Sequence, residues 1–169
     1  SQLVHALLYC HVRFKILHRD LKPGNIFLSA SHDDVRLGDF GIAKALGSTR
    51  SLCNTFIGTA IYMSPEVVKM QRYGQKSDVW GLGAVIYEVC TLVRPFEAKS
   101  AVDAMQLIVS PNTAVDPFPS NHGYPEEIES MCTSMLEKSV EDRPNLRTLL
   151  RNTPMLYDSV AQLEREYRW

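Results

Sequence analysis

The sequence predicts a mainly α-helical domain that carries one small β-hairpin beside a loop. Apolar residues recur at steps of three and four near the start and through most of the second half, which is the period of a helix that buries one face. Two short apolar runs, 26–28 and 35–37, are separated by a polar stretch, as in two strands joined by a turn. With 169 residues, of which 45% are hydrophobic, the chain can form one domain or a large part of one.

Composition and charge exclude several classes of function. The 18 basic and 19 acidic side chains leave a net charge of -1, so neither nucleic acid nor a membrane surface is expected as a partner. No apolar stretch reaches the roughly 18 residues of a membrane span, and the first residues lack the pattern of a secretory signal. The four cysteines are spread without a C-x-x-C pair, which favours free thiols in a reducing compartment. We therefore expect an intracellular, cytoplasmic protein.

The first half is predicted to hold one helix and the hairpin. The helix runs from the first residue to about Arg13, because apolar residues follow a helical period there. Four side chains share its predicted buried face: Leu3, Leu7, Cys10 and Phe14. A loop follows at 18–25, and the predicted strands are Ile26–Leu28 and Val35–Leu37. From about 39 to 65 the chain shows no periodicity, and long irregular segments inside a domain are usually functional.

The second half is predicted to be helical almost throughout. Ser77 is the expected N-cap of a central helix that is apolar on most sides. Pro125, followed by two acidic residues, is expected at the first position of a later helix. The remaining helices are predicted around three segments: Ala101–Val109, Leu146–Leu150 and Met155–Tyr167.

Polar residues on two loops that flank the predicted hairpin indicate phosphoryl transfer. This reaction needs neutralised charge on the phosphates and an oriented nucleophile. Asp20, Asn25 and Asp39 supply three oxygen-bearing side chains, and such ligands suit Mg²⁺, which takes one or two carboxylates with phosphate oxygens and water. Lys22 can offer a cation to the transferred group. Each residue alone would be interpreted as a turn cap or a solvated side chain, but the set favours catalysis.

Three motifs contain these residues: HRDLKPGN at 18–25, DFG at 39–41 and SPE at 64–66. In this order and spacing they resemble the motifs of eukaryotic protein kinases of the serine/threonine type. The resemblance implies that Asp20 orients the substrate hydroxyl and that Lys22 contacts the γ-phosphate of ATP.

The resemblance also assigns residues around the bound nucleotide and the substrate. It implies that Asn25 and Asp39 hold Mg²⁺ and that Phe27 lies in the apolar floor beneath the adenine. Thr59 would line the substrate side of the site, and Thr55 is the first candidate for regulatory phosphorylation. Further residues would be structural: Asp78 bracing the catalytic loop, His18 packed on Phe40, and Glu66 paired with Arg143.

Within the kinases, the chain resembles the NIMA-related (never-in-mitosis) group in segments 25–28, 37–44, 55–59 and 62–66. By analogy with that group, cytoskeletal or nuclear association is an additional expectation. Residues 1–169 would be a partial kinase domain, the large C-terminal lobe, beginning within the helix before the catalytic loop.

The resemblance further implies which parts of a kinase these residues do not include. The N-terminal β lobe, with its glycine-rich loop and ATP-binding lysine, is expected to be absent. We therefore expect that lobe of the full-length chain as a partner, alongside ATP and protein substrates, and an inactive fragment without it. The alternative is a non-catalytic, kinase-like scaffold.

Overall fold

The computed structural model describes residues 1–31, 33–40, 60–120 and 123–167. Within these ranges the protein is mainly helical and carries a two-stranded antiparallel sheet, as the sequence predicts. Thr55 and Thr59, two of the predicted site residues, lie outside the described residues, as does Cys53.

The first part of the chain forms a helix followed by the hairpin. Helix α1 spans Gln2–Tyr9 and continues into a π-helical turn, Cys10–Phe14. A 3₁₀ turn, Pro23–Asn25, leads directly into strand β1, Ile26–Leu28, which pairs with β2, Val35–Leu37. Both strands have the predicted bounds.

Helices make up most of the second half. In the described ranges they are α2 (Pro65–Val68), α3 (Gln75–Thr91), α4 (Ala101–Val109), α5 (Glu126–Met135), α6 (Leu146–Asn152) and α7 (Pro154–Tyr167). None of these helices, nor α1, is both long and apolar enough to cross a membrane.

Helix α3 lies at the centre of the core, as its apolar character predicts. Val79, Trp80 and Leu82 have no exposed surface. One apolar cluster joins α3 to α1, α5, α6 and α7, and a second joins it to α4 and α5. Gly83 lets α3 and α5 approach closely, because a Cβ atom at this position would lie 2.7 Å from Cβ of Met135. Helix α3 is therefore packed against the core on most of its sides.

The prediction that Phe14 lies on the buried face of the first helix is wrong. Phe14 is 55% exposed, whereas Val4, Leu7 and His11 are buried. The wider π-helical turn at Cys10–Phe14 breaks the helical period on which the prediction rested. Phe14 is therefore carried away from the core.

Two predicted helix starts are also displaced. Helix α3 begins at Gln75, so Ser77 is its third residue and is not its N-cap. The Ser77 hydroxyl instead accepts the Gly74 N–H at 3.1 Å and donates to Glu66 Oε1 at 2.7 Å. Pro125 lies just before α5 and not at its first helical position.

Candidate active site

Asp20 is the centre of a compact polar cluster. Lys22 Nζ donates to Asp20 Oδ2 at 2.8 Å, and Asn25 Nδ2 donates to the same oxygen at 3.1 Å and to the Asp20 carbonyl at 2.7 Å. The Asp20 side chain is 11% exposed and that of Lys22 is 26% exposed. These contacts bring together three of the residues that the sequence singles out and fix the orientation of the carboxylate.

The hairpin explains why Asp39 lies next to this cluster. Its register pairs Ile26 with Leu37, so that Asn25, just before β1, faces Gly38, just after β2. The Gly38 N–H donates to the Asn25 carbonyl at 3.0 Å. Asp39 is therefore adjacent to a residue that is bonded across the ladder to Asn25. Asn25 and Asp39 are fourteen positions apart in the sequence. The pairing of β1 with β2 brings the two segments that contain them together.

His18 also connects residues 38–40 to the loop that carries Asp20. Its Nδ1 accepts the Asp20 N–H at 3.3 Å, so the proton is on Nε2, which donates to the Gly38 carbonyl at 2.9 Å. The His18 and Phe40 rings are 4.7 Å apart at 45°, so the predicted packing is present as a tilted contact. Both neighbours of Asp39 in the chain are thus anchored to the loop that carries Asp20, while Asp39 itself is exposed.

Asp78 braces the loop that carries Asp20, as predicted. The fully buried carboxylate accepts the backbone N–H groups of His18 and Arg19, each at 2.9 Å. It also accepts His11 Nε2 at 2.7 Å and the Tyr73 hydroxyl at 2.6 Å. Burial alone would raise the pKa of Asp78, but the hydrogen bonds outweigh burial and hold that pKa below its ordinary value. The group therefore stays ionised at neutral pH.

Two residues of the site have left-handed backbone conformations. Arg19 has φ of 70° and Asp39 has φ of 50°. Residues other than glycine rarely adopt this region, and those that do cluster at functional sites where the surroundings impose the conformation. Here the bond from the Arg19 N–H to Asp78 and the bonds on both sides of Gly38 impose it.

Phe27 presents an apolar surface beside the polar cluster. Its side chain is 50% exposed, and its ring lies against Gly38, where an added Cβ atom would come within 2.6 Å of Cε2 of Phe27. Glycine is therefore required at position 38 for this ring position. Phe27 therefore leaves a half-exposed aromatic ring beside Gly38, the residue that precedes Asp39 in the chain.

Asp20 also borders a cavity of about 460 Å³. Its lining also includes Leu21, Tyr62, Met63 and Arg72. The cavity therefore places open space beside the loop that carries Asp20.

Glu66 and Arg143 form a buried structural pair, as predicted. Arg143 Nη1 and Nη2 bond the two Glu66 oxygens at 2.8 and 3.0 Å, and neither side chain is more than 4% exposed. Burial would raise the pKa of Glu66, but the bonds from Arg143 and Ser77 lower it to about 2. Arg143 also lies 5.0 Å from the Trp80 ring. The pair joins α2 to α3 and to the chain before α6.

The donor set fits a magnesium ion shared with phosphates. In the described part of the chain, no three His, Cys, Asp or Glu side chains gather as a self-sufficient metal site. Asp39 offers a carboxylate, and Asn25 offers an amide oxygen, since its nitrogen is engaged by Asp20. Mg²⁺ typically takes only one or two protein ligands of this kind and completes its shell with phosphate oxygens and water.

The sequence did not indicate three residues that support the site. His11 and Tyr73 both donate to Asp78, and Ser77 donates to Glu66. The partner of His11 lies 67 positions away, and the partners of Ser77 and Tyr73 lie 11 and 5 positions away without a motif that marks the bond. The one available signal was the buried carboxylate expected at Asp78, which needs several donors.

Comparison with known proteins gives a consistent result. Residues 1–154 match the family model described as a protein kinase domain. The chain is 40% identical to the G2-specific protein kinase fin1 of Schizosaccharomyces pombe over 92% of its length. It is 39% identical to the human serine/threonine-protein kinase Nek2 over 98% of its length, and 40% identical to the G2-specific protein kinase nimA of Emericella nidulans over 92%. The predicted resemblance to NIMA-related kinases is therefore confirmed.

The chain covers only part of these relatives. It spans 21% of fin1, 37% of Nek2 and 25% of nimA.

Proposed function

This chain belongs to the protein kinase family, and on that premise we propose that it carries the machinery that transfers the γ-phosphate of ATP to serine or threonine hydroxyls of protein substrates. The observation that carries this proposal is the anchoring of the Asp39 segment to the Asp20 loop through Gly38. The relatives named as serine/threonine-protein kinases support the choice of acceptor.

The Asp20 carboxylate orients the substrate hydroxyl and accepts its proton as the hydroxyl oxygen attacks the γ-phosphorus. The bond from this phosphorus to the β,γ-bridging oxygen breaks, and ADP leaves. Its bonds to Lys22 and Asn25 hold the carboxylate in one position, and such positioning contributes much of the rate in phosphoryl transfer. The Lys22 ammonium, beside the carboxylate, stabilises the negative charge of the transferred group.

Asn25 and Asp39 are proposed to hold Mg²⁺ through the amide oxygen and the carboxylate. When bound, the metal neutralises the phosphates and the charge that develops on them. Because the Asn25 nitrogen donates to Asp20, the metal ligand and the residue that orients the hydroxyl are directly coupled. Displacing either one is expected to disturb the other.

We also propose that residues 1–169 form the large lobe of the kinase domain and work with an ATP-binding lobe of the full-length protein. The half-exposed Phe27 and the adjacent Leu28, which is 59% exposed, support this. These apolar side chains lie on the hairpin beside the site, where an adenine and a second lobe would cover them. The chain alone is then expected to bind ATP weakly and to transfer no phosphate.

An intracellular location follows from this proposal, because such an enzyme draws on the ATP of the cell interior. The free thiols of Cys10, Cys90 and Cys132 suit a reducing compartment.

The test is phosphate transfer from radiolabelled ATP to casein by the full-length protein. Asp20→Asn keeps the size of the side chain but removes the base, and we expect a rate roughly 10²- to 10⁴-fold lower. Asp158→Asn, an exposed carboxylate on α7, is the matched control and should keep the full rate. A full rate in Asp20→Asn would remove the catalytic role, and no transfer by the unmodified full-length protein would favour the scaffold alternative.

A further inference from the structure

A cavity of about 580 Å³ lies beside the C-terminal half of α1 and the π-helical turn that follows it. We call this cavity the basic groove. Its apolar wall is formed by Leu8, Tyr9 and Val12, and three exposed charged residues border it: Arg13, Arg147 and Glu164. These residues come from α1, the π-helical turn, α6 and α7. The groove shares no lining residue with the cavity beside Asp20.

The charges around the basic groove are unbalanced. Within the described ranges, neither Arg13 nor Arg147 takes part in an ion pair or hydrogen bond of its side chain, and Glu164 is the one carboxylate in the lining. Lys15, two positions after Arg13, is also exposed. Guanidinium groups bind carboxylates through paired, charge-assisted hydrogen bonds. The groove is therefore complementary to an acidic occupant.

An exposed apolar surface continues from the groove along the π-helical turn. Val12, Phe14 and Ile16 are 37%, 55% and 40% exposed. The Phe14 ring meets the Tyr9 ring edge-on, with centroids 5.0 Å apart, so the apolar wall of the groove extends to Phe14. A contiguous exposed apolar surface with a charged border is typical of a protein interaction site. π-helical turns are frequent at functional sites.

We propose that the basic groove binds an amphipathic helical segment of a partner protein, with an apolar stripe flanked by acidic residues. The apolar stripe packs on Leu8, Tyr9 and Val12, and the flanking carboxylates pair with Arg13 and Arg147. A helix laid into a groove between helices is a common mode of peptide recognition. This proposal is separate from phosphate transfer, because among the described residues the groove and the cavity beside Asp20 have different linings.

The test uses two synthetic probes and the chain of residues 1–169, folded as judged by circular dichroism. The acidic probe is a peptide of about 18 residues, long enough for a helix, with leucine at helical spacing and glutamate beside it. The basic probe carries lysine in place of every glutamate. Fluorescence anisotropy measures binding, and hydrogen–deuterium exchange locates it. The variants are Arg13→Glu with Arg147→Glu, and, as a matched control, Arg36→Glu on β2.

We expect saturable binding of the acidic probe and slower exchange at residues 8–13. The double variant should bind this probe roughly tenfold more weakly, because like charges then face each other, and should bind the basic probe in its place. Arg36→Glu should leave both affinities unchanged. The inference is overturned if the acidic probe does not saturate, if it binds the double variant equally well, or if protection lies outside the groove.

Discussion

Replacing the Asp78 carboxylate with an amide tests the account of how the catalytic loop is held. Oδ2 accepts the His18 N–H and His11 Nε2, and Oδ1 accepts the Arg19 N–H and the Tyr73 hydroxyl. Asparagine has the same shape but presents an NH₂ group on one of these two sides. On either side the NH₂ group meets one backbone N–H, of His18 or of Arg19, which cannot become an acceptor.

The expected cost of Asp78→Asn follows from the donors that can adapt and those that cannot. The Tyr73 hydroxyl can rotate to accept, and the His11 ring can change tautomer, so both side chains can adjust. One buried backbone donor is left unpaired, which costs about 1–3 kcal/mol. The remaining bonds weaken because the acceptor is no longer charged. We expect the free energy of unfolding to fall by about 2–4 kcal/mol in total.

Urea unfolding followed by far-ultraviolet circular dichroism measures this loss. Tyr73→Phe removes a single donor and should cost only about 1 kcal/mol, and the exposed Asp158→Asn should cost less than about 0.5 kcal/mol. Hydrogen exchange at the His18 and Arg19 amides should become faster in Asp78→Asn. If this variant unfolds within about 0.5 kcal/mol of the unmodified chain, Asp78 does not hold the loop as described.

Three other perturbations test separate parts of the structure. Gly38→Ala should displace the half-exposed Phe27 ring, because the new Cβ would lie 2.6 Å from its Cε2 atom, and should lower the free energy of unfolding by up to about 1 kcal/mol. Adding Phe27→Ala should recover part of this loss in thermal melts, and an additive loss would argue against the contact. The pKa of Glu66 falls from 4.5 to about 2 because the bonds from Arg143 and others outweigh burial, so its contribution to stability is present above pH 4.5 and is lost as the pH falls towards 2. Glu66→Gln should flatten this part of the pH profile, and an unchanged profile would contradict the assignment. Burial raises the pKa of the Cys132 thiol to about 12, so in a variant whose other cysteines, Cys10, Cys53 and Cys90, are replaced by serine it should react with Ellman's reagent at pH 8 only after unfolding. Fast reaction of that folded variant would show that Cys132 is accessible.

Much of the fold could be predicted because its signals are local. The strands Ile26–Leu28 and Val35–Leu37 and the helix Ala101–Val109 have the predicted bounds. Each is a short apolar or periodic run with polar residues at its ends, so its limits are encoded within a few neighbouring positions. Part of the candidate site could be predicted for the same reason, since Asp20, Lys22 and Asn25 lie within six consecutive residues.

The features that were not predicted depend on partners far away in the sequence, or on backbone geometry that has no local sequence signal. The π-helical turn at Cys10–Phe14 shifts the helical period by its wider turn, so Phe14 became exposed against the prediction. The Ser77 hydroxyl accepts the N–H of the N-cap residue Gly74 from the third position of α3, and it also donates to the Glu66 carboxylate, eleven positions away. The His11 bond to Asp78 crosses 67 positions. Such contacts are set by how the helices pack.

The most direct test of the central claim is a crystal structure of the full-length protein with Mn²⁺ and a non-hydrolysable ATP analogue, recorded at the manganese absorption edge. The account predicts an anomalous peak within coordination distance of the Asp39 carboxylate and the Asn25 amide oxygen, with the γ-phosphate beside Asp20 and Lys22. A metal and triphosphate bound away from these four side chains would contradict it.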